Sequence, residues 1–355
     1  MENFEINLQR RNANNRLTRQ LRDHSNPFNM PNEVFRRLYR FSPELAHQLF
    51  LEIAPLLEDG VRRTKIPKVV RFLVTLHFYS QGSYQKSVGT DSHCSMSQPA
   101  VSRCIKEISD TIVTHFSGRY IKFPVTLNEI INVKNGFFEK FNFPGIVGVI
   151  DGTHVSIVAP VFGRIPPRAV FLNRKNYYSI NCQLICDSDL KILSLCAQYP
   201  GSVHDSAIWM MSNIFQELKN RYRNGERSSW LIGDSGYPLQ PFLLTPILNA
   251  PEGTMEDRYT RRLCRARNSV ERCIGVLKGT FRCLIKDRTL HYKPRDAAKI
   301  IITCATLYNI LKDANADINE YAFEEDDGVN NQINNDELYN AGLNIRNNLI
   351  LNHFQ

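Results

Sequence analysis

The chain reads as an α/β domain preceded by an all-helical region. Three observations predict this. Helical periodicity dominates the first third of the sequence, two short apolar runs further on each end in an aspartate, and a polar turn joins two strand-like segments between them. In the front part, Val34, Leu38, Phe41, Leu45, Leu49 and Ile53 recur at three- or four-residue steps, the mark of one apolar helix face. A second helical stretch covers Val69 to Tyr79. A third runs from about Gln98 to Phe116, with Ser97 placed to cap it and Pro99 in the first turn, where proline is tolerated.

Beyond Phe143 the pattern changes. Gly145 to Ile150 is a short apolar run ending at Asp151, and Trp230 to Gly233 is another ending at Asp234; both read as buried strands. Ser179 to Cys186 and Lys191 to Gln198 predict two strands joined by the turn Asp187-Ser188-Asp189. His204 to Tyr222 reads as one amphipathic helix, Arg261 to Phe281 as a long basic helix, and Ala297 to Leu311 as a last apolar one. The expected divisions are a flexible basic arm at 1–30, a helical domain at 31–135, an α/β domain at 136–312 and an acidic, Asn-rich tail at 313–355 expected to be disordered.

The formal charge of +9 favours a polyanionic partner, and a 43% apolar fraction supports a proper core over 355 residues. No apolar run is long enough for a membrane-spanning helix, so no membrane role is expected. Nine scattered cysteines without metal-ligand spacing predict reduced, buried thiols and an intracellular setting.

The chemistry is expected at the acids. A carboxylate at the end of a buried strand is costly unless it is paired or bound to metal, and strand ends are where open α/β sheets place active sites. Asp151 and Asp234 have that position. Glu271 is the third candidate. It is set in a helix carrying Arg262, Arg265, Arg267, Arg272 and Lys278, all candidate contacts to DNA phosphate. Taken singly, each acid is explained as a turn cap or a solvated helix residue; the combination is what points to convergence. Three carboxylates suit two Mg²⁺ or Mn²⁺ ions, with Asp151 bridging them and Asp234 and Glu271 each completing one site, for hydrolysis or transfer at a phosphodiester. His204 and Asp205 are further candidates for metal or DNA, although Asp205 as a helix cap is the favoured alternative. His154 either orients Asp151 or touches substrate, or is a packed structural histidine.

Asp151-Gly-Thr-His154, Val203-His-Asp-Ser206, Gly233-Asp-Ser-Gly-Tyr-Pro238, Arg267-Asn-Ser-Val-Glu-Arg272 with Gly275-Val-Leu-Lys278, and Leu290-His-Tyr-Lys-Pro294 occur in that order. Together they resemble the PIF/Harbinger transposases and the domesticated nucleases derived from them, over roughly residues 30 to 312. The resemblance implies an RNase H-like fold and a DDE triad falling on Asp151, Asp234 and Glu271. It also implies cut-and-paste chemistry or nuclease activity, and a separate Myb/SANT-like or trihelix DNA-binding partner. The chain departs from the family at Thr280, where a basic residue is usual, and at Tyr308, where histidine is usual. Residues 66–116 resemble the family's helix-turn-helix, with Ser83 to Gly89 as its positioning element and Gln98, Arg103 and Lys106 on the exposed side of its recognition helix. DNA, a homo-oligomer, and a nuclear location with a cytoplasmic pool complete the expectations. The rival readings are a catalytically silent, DNA-binding or chromatin adaptor on a transposase scaffold, and an RNA-cleaving enzyme.

Overall fold

A computed structural model of the chain describes residues 27–59, 66–82, 96–161, 168–322 and 337–355, with isolated positions at 5, 13, 16, 17, 20 and 85. The flexible arm expected at 1–30 and the positioning element of the helix-turn-helix lie almost wholly outside the described residues.

The front of the chain folds into helices α1 (Asn32–Tyr39), α2 (Pro43–Ile53), α3 (Lys68–Gln81), α4 (Gln98–His115), the short α5 (Ser117–Tyr120) and α6 (Leu127–Phe141). Sequence signals set their ends. The Ser42 side chain accepts from the Leu45 amide at the start of α2, and Thr126 and Glu129 form a reciprocal cap at the start of α6. Ser97 stands at the N-cap of α4 in extended conformation but makes no side-chain capping bond. Helix α3 is buried on every side from Val70 to Ser80, so it is the hub of this region.

Five strands follow: β1 (Ile146–Ser156), β2 (Ser179–Cys186), β3 (Ile192–Pro200), β4 (Trp230–Ile232) and β5 (Leu243–Leu244), in sheet order β3-β2-β1-β4-β5. The β1, β2 and β3 neighbours are antiparallel, with the expected turn at Asp187 to Asp189, while β4 and β5 run parallel to β1. The sheet is therefore mixed, with its longest strand at the centre. A bulge between Ile146 and Gly148 sets the facing of β1. Val149 and Val155 pack into one buried cluster and Ile150 into another, so Asp151 shares the face of Val149, and Gly152 that of Ile150.

Helices α7 (Asp205–Met211) and α8 (Asn213–Arg223) belong to the Ile150 side, where Trp209, Phe215 and Leu218 pack with Leu231 and Leu243. The single helix expected from His204 to Tyr222 is broken at Ser212, whose side chain caps α8 by accepting from the Phe215 amide. The other side belongs to α9 (Met255–Thr280) and α10 (Pro294–Asp313). Tyr308, at the second family departure, donates its hydroxyl to the Leu190 carbonyl at 2.8 Å, so the substituted ring is satisfied by packing and a hydrogen bond.

Two boundaries differ from expectation. The division at 135 falls inside α6, and side chains of α1 to α4 share one continuous buried cluster with α9 and α10. Arg40 ties the two parts directly, donating to the Thr280 carbonyl at 3.1 Å, while Tyr79 and Ser109 share a buried hydroxyl contact at 2.6 Å. The expectation of a disordered tail across 313–355 is corrected at its end, where Glu337–His353 forms α11. Leu349, Ile350 and Phe354 are buried, and the Phe354 ring meets Phe143 and Tyr259 at 5.2 and 5.5 Å. An Asn-rich composition hides these few anchors. Substituting Phe354→Ala should cost about 3–4 kcal/mol of stability, the usual range for emptying a buried aromatic site, read as a lower midpoint in urea unfolding.

Candidate active site

The sheet brings the expected acids towards one rim. Asp151 lies within β1 but just past the last pairing of that strand with β4, at Val149 and Ile232. Asp234 follows β4 by two residues. Where β4 stops, its neighbour is left without a partner on that side, and side chains there reach the sheet edge. Asp151 is still paired with Leu184 on the β2 side, which holds its backbone in place. Its Oδ1 accepts from the Gly152 amide at 2.8 Å, and the Oδ1 of Asp234 accepts from the Gly236 amide at 3.0 Å.

Glu271 arrives from α9, on the Asp151 face. Between them lies Arg267, one turn earlier on the helix. Its guanidinium makes an ion pair with Glu271 and stands 3.7 Å from Asp151 Oδ2. Its charge also offsets the burial of Asp234. The sequence predicts Arg267 at DNA phosphate; the structure places it among the acids.

Burial pushes the Asp151 carboxyl from its ordinary 3.8 up to about 8, with Arg267 opposing the rise and Asp234 and Asp205 adding to it. Burial also raises Asp234, against Arg267 and the Gly236 amide. Burial of these two carboxylates is opposed by Arg267 at both and by Arg174 at Asp234, yet both stay raised, so the rim is short of positive charge.

A fourth carboxylate belongs here. Asp205 is the first residue of α7, and His204 rather than Asp205 holds the N-cap position. The cap position expected for Asp205 is thus one residue earlier, and its own side chain meets the sheet. It accepts from Asn181 Nδ2 at 2.7 Å, and its main-chain carbonyl accepts from Gln183 Nε2 at 3.1 Å. It approaches β1 at Gly152, where an added Cβ would lie 2.3–2.4 Å from the Asp205 carboxylate. Only glycine leaves that space. The buried Tyr237 ring sits among Asp205, Asp151 and Asp234, all three of which raise its hydroxyl beyond the effect of burial. Sequence reasoning missed Asn181 and Gln183. Their signal was two polar residues at alternate positions of a strand buried along its whole length.

The other candidates separate. His154 is half-buried, its Nδ1 meets Ser179 Oγ at 2.9 Å and its ring lies edge-on to Tyr177. His204 is exposed. Lys278 is 1% exposed and donates to the His154 carbonyl at 3.0 Å. The expectation that it contacts DNA is corrected: the helix turns it into the protein. Arg262 lies over the Phe354 ring at 5.1 Å and donates to the Asn142 carbonyl. Arg265 and Arg272 are exposed on α9, as are Gln98, Arg103 and Lys106 on α4.

Among the described residues, no three His, Cys, Asp or Glu side chains stand close enough to hold a metal ion as they lie. The donor set nevertheless fits a hard divalent cation. It is all oxygen, it is short of positive charge, and the half-exposed Glu271 side chain (49%) is constrained chiefly by Arg267.

A family model described as "DDE superfamily endonuclease" matches residues 150–309. The chain is 31% identical over 288 residues to "Putative nuclease HARBI1" of Mus musculus, covering 81% of this chain and 79% of that protein. It is 30% identical over 289 residues to the Homo sapiens protein of that name, with the same coverage. "Protein ALP1-like" of Arabidopsis thaliana is 27% identical over 232 residues, covering 61% of this chain and 54% of that protein. No solved structure shows a significant match. The chain belongs to the Harbinger transposase-derived nuclease family. The matched segment begins one residue before Asp151 and ends within α10, so it contains all four rim acids and all but the start of β1 among the strands.

The raised Asp151 carboxyl sets a pH dependence. The unfolded chain loses this proton near 4 while the folded chain keeps it to about 8. Metal-free stability should therefore fall as the pH rises through that window and level off above it. In chelator, urea midpoints at the two ends of the window should converge in Asp151→Asn relative to the parent.

Proposed function

We propose that this chain is a divalent-metal-dependent DNA endonuclease of transposase type, with an RNase H-like fold and a triad of Asp151, Asp234 and Glu271. The observation that carries the reading is the shared guanidinium of Arg267. One cation reaches both Asp151 and Glu271, and its charge is felt at Asp234, so three acids distant in the sequence border a common volume. The strand order, with β1 central, β2 and β3 antiparallel, and β4 and β5 parallel, supports the fold.

Two Mg²⁺ or Mn²⁺ ions, when bound, would supply activation of the attacking oxygen and neutralisation of the leaving one. Asp151 and Asp234 would hold them from the sheet and Glu271 from α9. Asp205 is the fourth acid in this reading, reaching the same rim across Gly152. Asn181 fixes its carboxylate, and the Gly152 and Gly236 amides fix those of Asp151 and Asp234. Withdrawal of Arg267 from the acids would free them for the ions.

DNA is the favoured substrate because α4 and α9 display Gln98, Arg103, Lys106, Arg265 and Arg272 to solvent. A Myb/SANT-like or trihelix partner, and with it a nuclear location, follow from the family resemblance, and they belong to the same proposal together with self-association.

Nicking of supercoiled plasmid in Mn²⁺ tests it. Asp151→Asn and Glu271→Gln should each lower the nicking rate by more than about a hundredfold, beyond what supporting residues of a metal site cost, while DNA affinity persists. Equal nicking by parent and variants would refute the triad, and DNA binding with no nicking by the parent would support the adaptor reading instead. Gly152→Ala, which drives a Cβ into the Asp205 carboxylate, should depress nicking about as much as Asp205→Asn, by roughly ten- to a hundredfold.

A further inference from the structure

The loop that leads into β2 has a construction that the triad does not call for. An antiparallel bridge between Leu172 and Tyr178 closes its base. Asn173 is 3% exposed and holds the loop from within. Its Oδ1 accepts from the amides of Lys175 at 2.9 Å and Tyr177 at 3.3 Å, and its Nδ2 donates to Ser179 Oγ at 3.0 Å. Asn176 turns the chain at a φ of 60°, with its amide bonded to the Asn173 carbonyl at 3.0 Å.

The loop is tied to the active-site strand. Ser179 Oγ also meets His154 Nδ1, and His154 lies on β1 three residues after Asp151. Gly201 seals the junction, since a Cβ there would lie 2.3 Å from Ser179 Oγ and 2.8 Å from the Phe171 carbonyl oxygen. Whatever the loop presents is thus held in fixed register with the acids.

It presents cations and aromatic rings. Arg174 and Lys175 are exposed at its tip. Arg168 lies 5.0 Å over the Tyr178 ring and donates Nε to its hydroxyl at 3.0 Å. Lys286, from the segment after α9, lies 5.1 Å over the Tyr177 ring. Asp287, next to Lys286, is the one acid in residues 168–178 and 281–290, against Arg168, Arg174, Lys175, Arg282, Lys286 and Arg288. Neighbouring cations repel one another, and a polyanion bound across them relieves the repulsion. Cations supported on tyrosine rings beside a nuclease centre suit a phosphate backbone with sugars or bases against the rings.

We propose that the Asn173–Tyr178 loop, with Arg168 and Lys286, is a phosphate-binding site that seats the DNA strand entering the active site. This rests on the reading of the chain as a DNA nuclease. It adds a contact surface distinct from the exposed faces of α4 and α9, and one that fixes the strand relative to Asp151 and Asp234. Arg174 and Lys175 contact phosphate from the tip, and the Asn173 bonds keep the tip from yielding.

The test uses the full chain with Arg174→Gln/Lys175→Gln, and with Arg174→Lys/Lys175→Arg as the charge-preserving control. Binding of a fluorescein-labelled DNA duplex is followed by anisotropy in chelator, at salt from about 50 to 200 mM. The neutral variant should bind about tenfold or more weakly. Its plot of log affinity against log salt should be shallower by about two, one for each phosphate that the loop no longer neutralises. The control should keep the parent slope, and the thermal midpoints of all three should agree.

A neutral variant with the parent's affinity and slope overturns the loop site, and plasmid nicking by the parent in that case leaves the nuclease reading standing. A parent that neither binds nor nicks DNA overturns both. Loss of affinity for a labelled RNA strand of the same sequence, with duplex DNA binding unchanged, also overturns the proposal. A shallower slope in the charge-preserving control, or a lowered midpoint in the neutral variant with no slope change, does so too.

Discussion

The structure is organised around negative charge gathered where β4 stops beside β1. Carboxylates removed from water there raise one another's proton affinity, and Arg267, with Arg174 near Asp234, opposes that rise. The backbone amides of Gly152 and Gly236, and the side chain of Asn181, orient the oxygens without neutralising them. Such an arrangement disfavours the empty, fully ionised state and favours any state that brings in cations. An opposing cost is the loss of the Arg267 pairs, so in the proposed reading metal would compete with arginine for the same oxygens.

The surrounding fold holds that arrangement together. The acids on β1 and after β4 are fixed by pairing in the sheet, and Glu271 by a 26-residue helix that packs across it. The front helices and α11 do not form separate bodies around this centre. They share its buried cluster through α9 and α10, with Arg40 bonded to the end of α9 and Phe354 inserted beside Tyr259 near its start. A change in the position of α9 is therefore resisted at both ends, and Glu271 is positioned by parts of the chain far from the rim.

Much of this is legible in the sequence, and for identifiable reasons. Apolar runs that stop at aspartate mark β4 and the first half of β1, but β1 runs on past Asp151 to Ser156 because β2 still pairs with it there, a partnership that the apolar pattern does not show. The polar turn at Asp187 marks the hairpin. The direction of side chains is harder to read. Arg267, Arg262 and Lys278 lie on one basic helix and look alike as sequence, yet one meets acids, one lies on a ring and one is buried against β1. Asp205 is visible as a candidate, but its role depends on Gly152 being the residue opposite, a relation across two elements. The tail reads as disordered because its three anchors, Leu349, Ile350 and Phe354, sit in an Asn-rich stretch whose average composition resembles disorder.

Crystals soaked in Mn²⁺ and recorded at the manganese absorption edge give the most direct test of whether the rim acids share cations. The account predicts anomalous peaks about 2.0–2.2 Å from carboxylate oxygens of Asp151, Asp234 and Glu271, with the Arg267 guanidinium withdrawn from Asp151. Peaks confined to other carboxylates, or none at the rim at millimolar Mn²⁺ with Arg267 still paired, would contradict it.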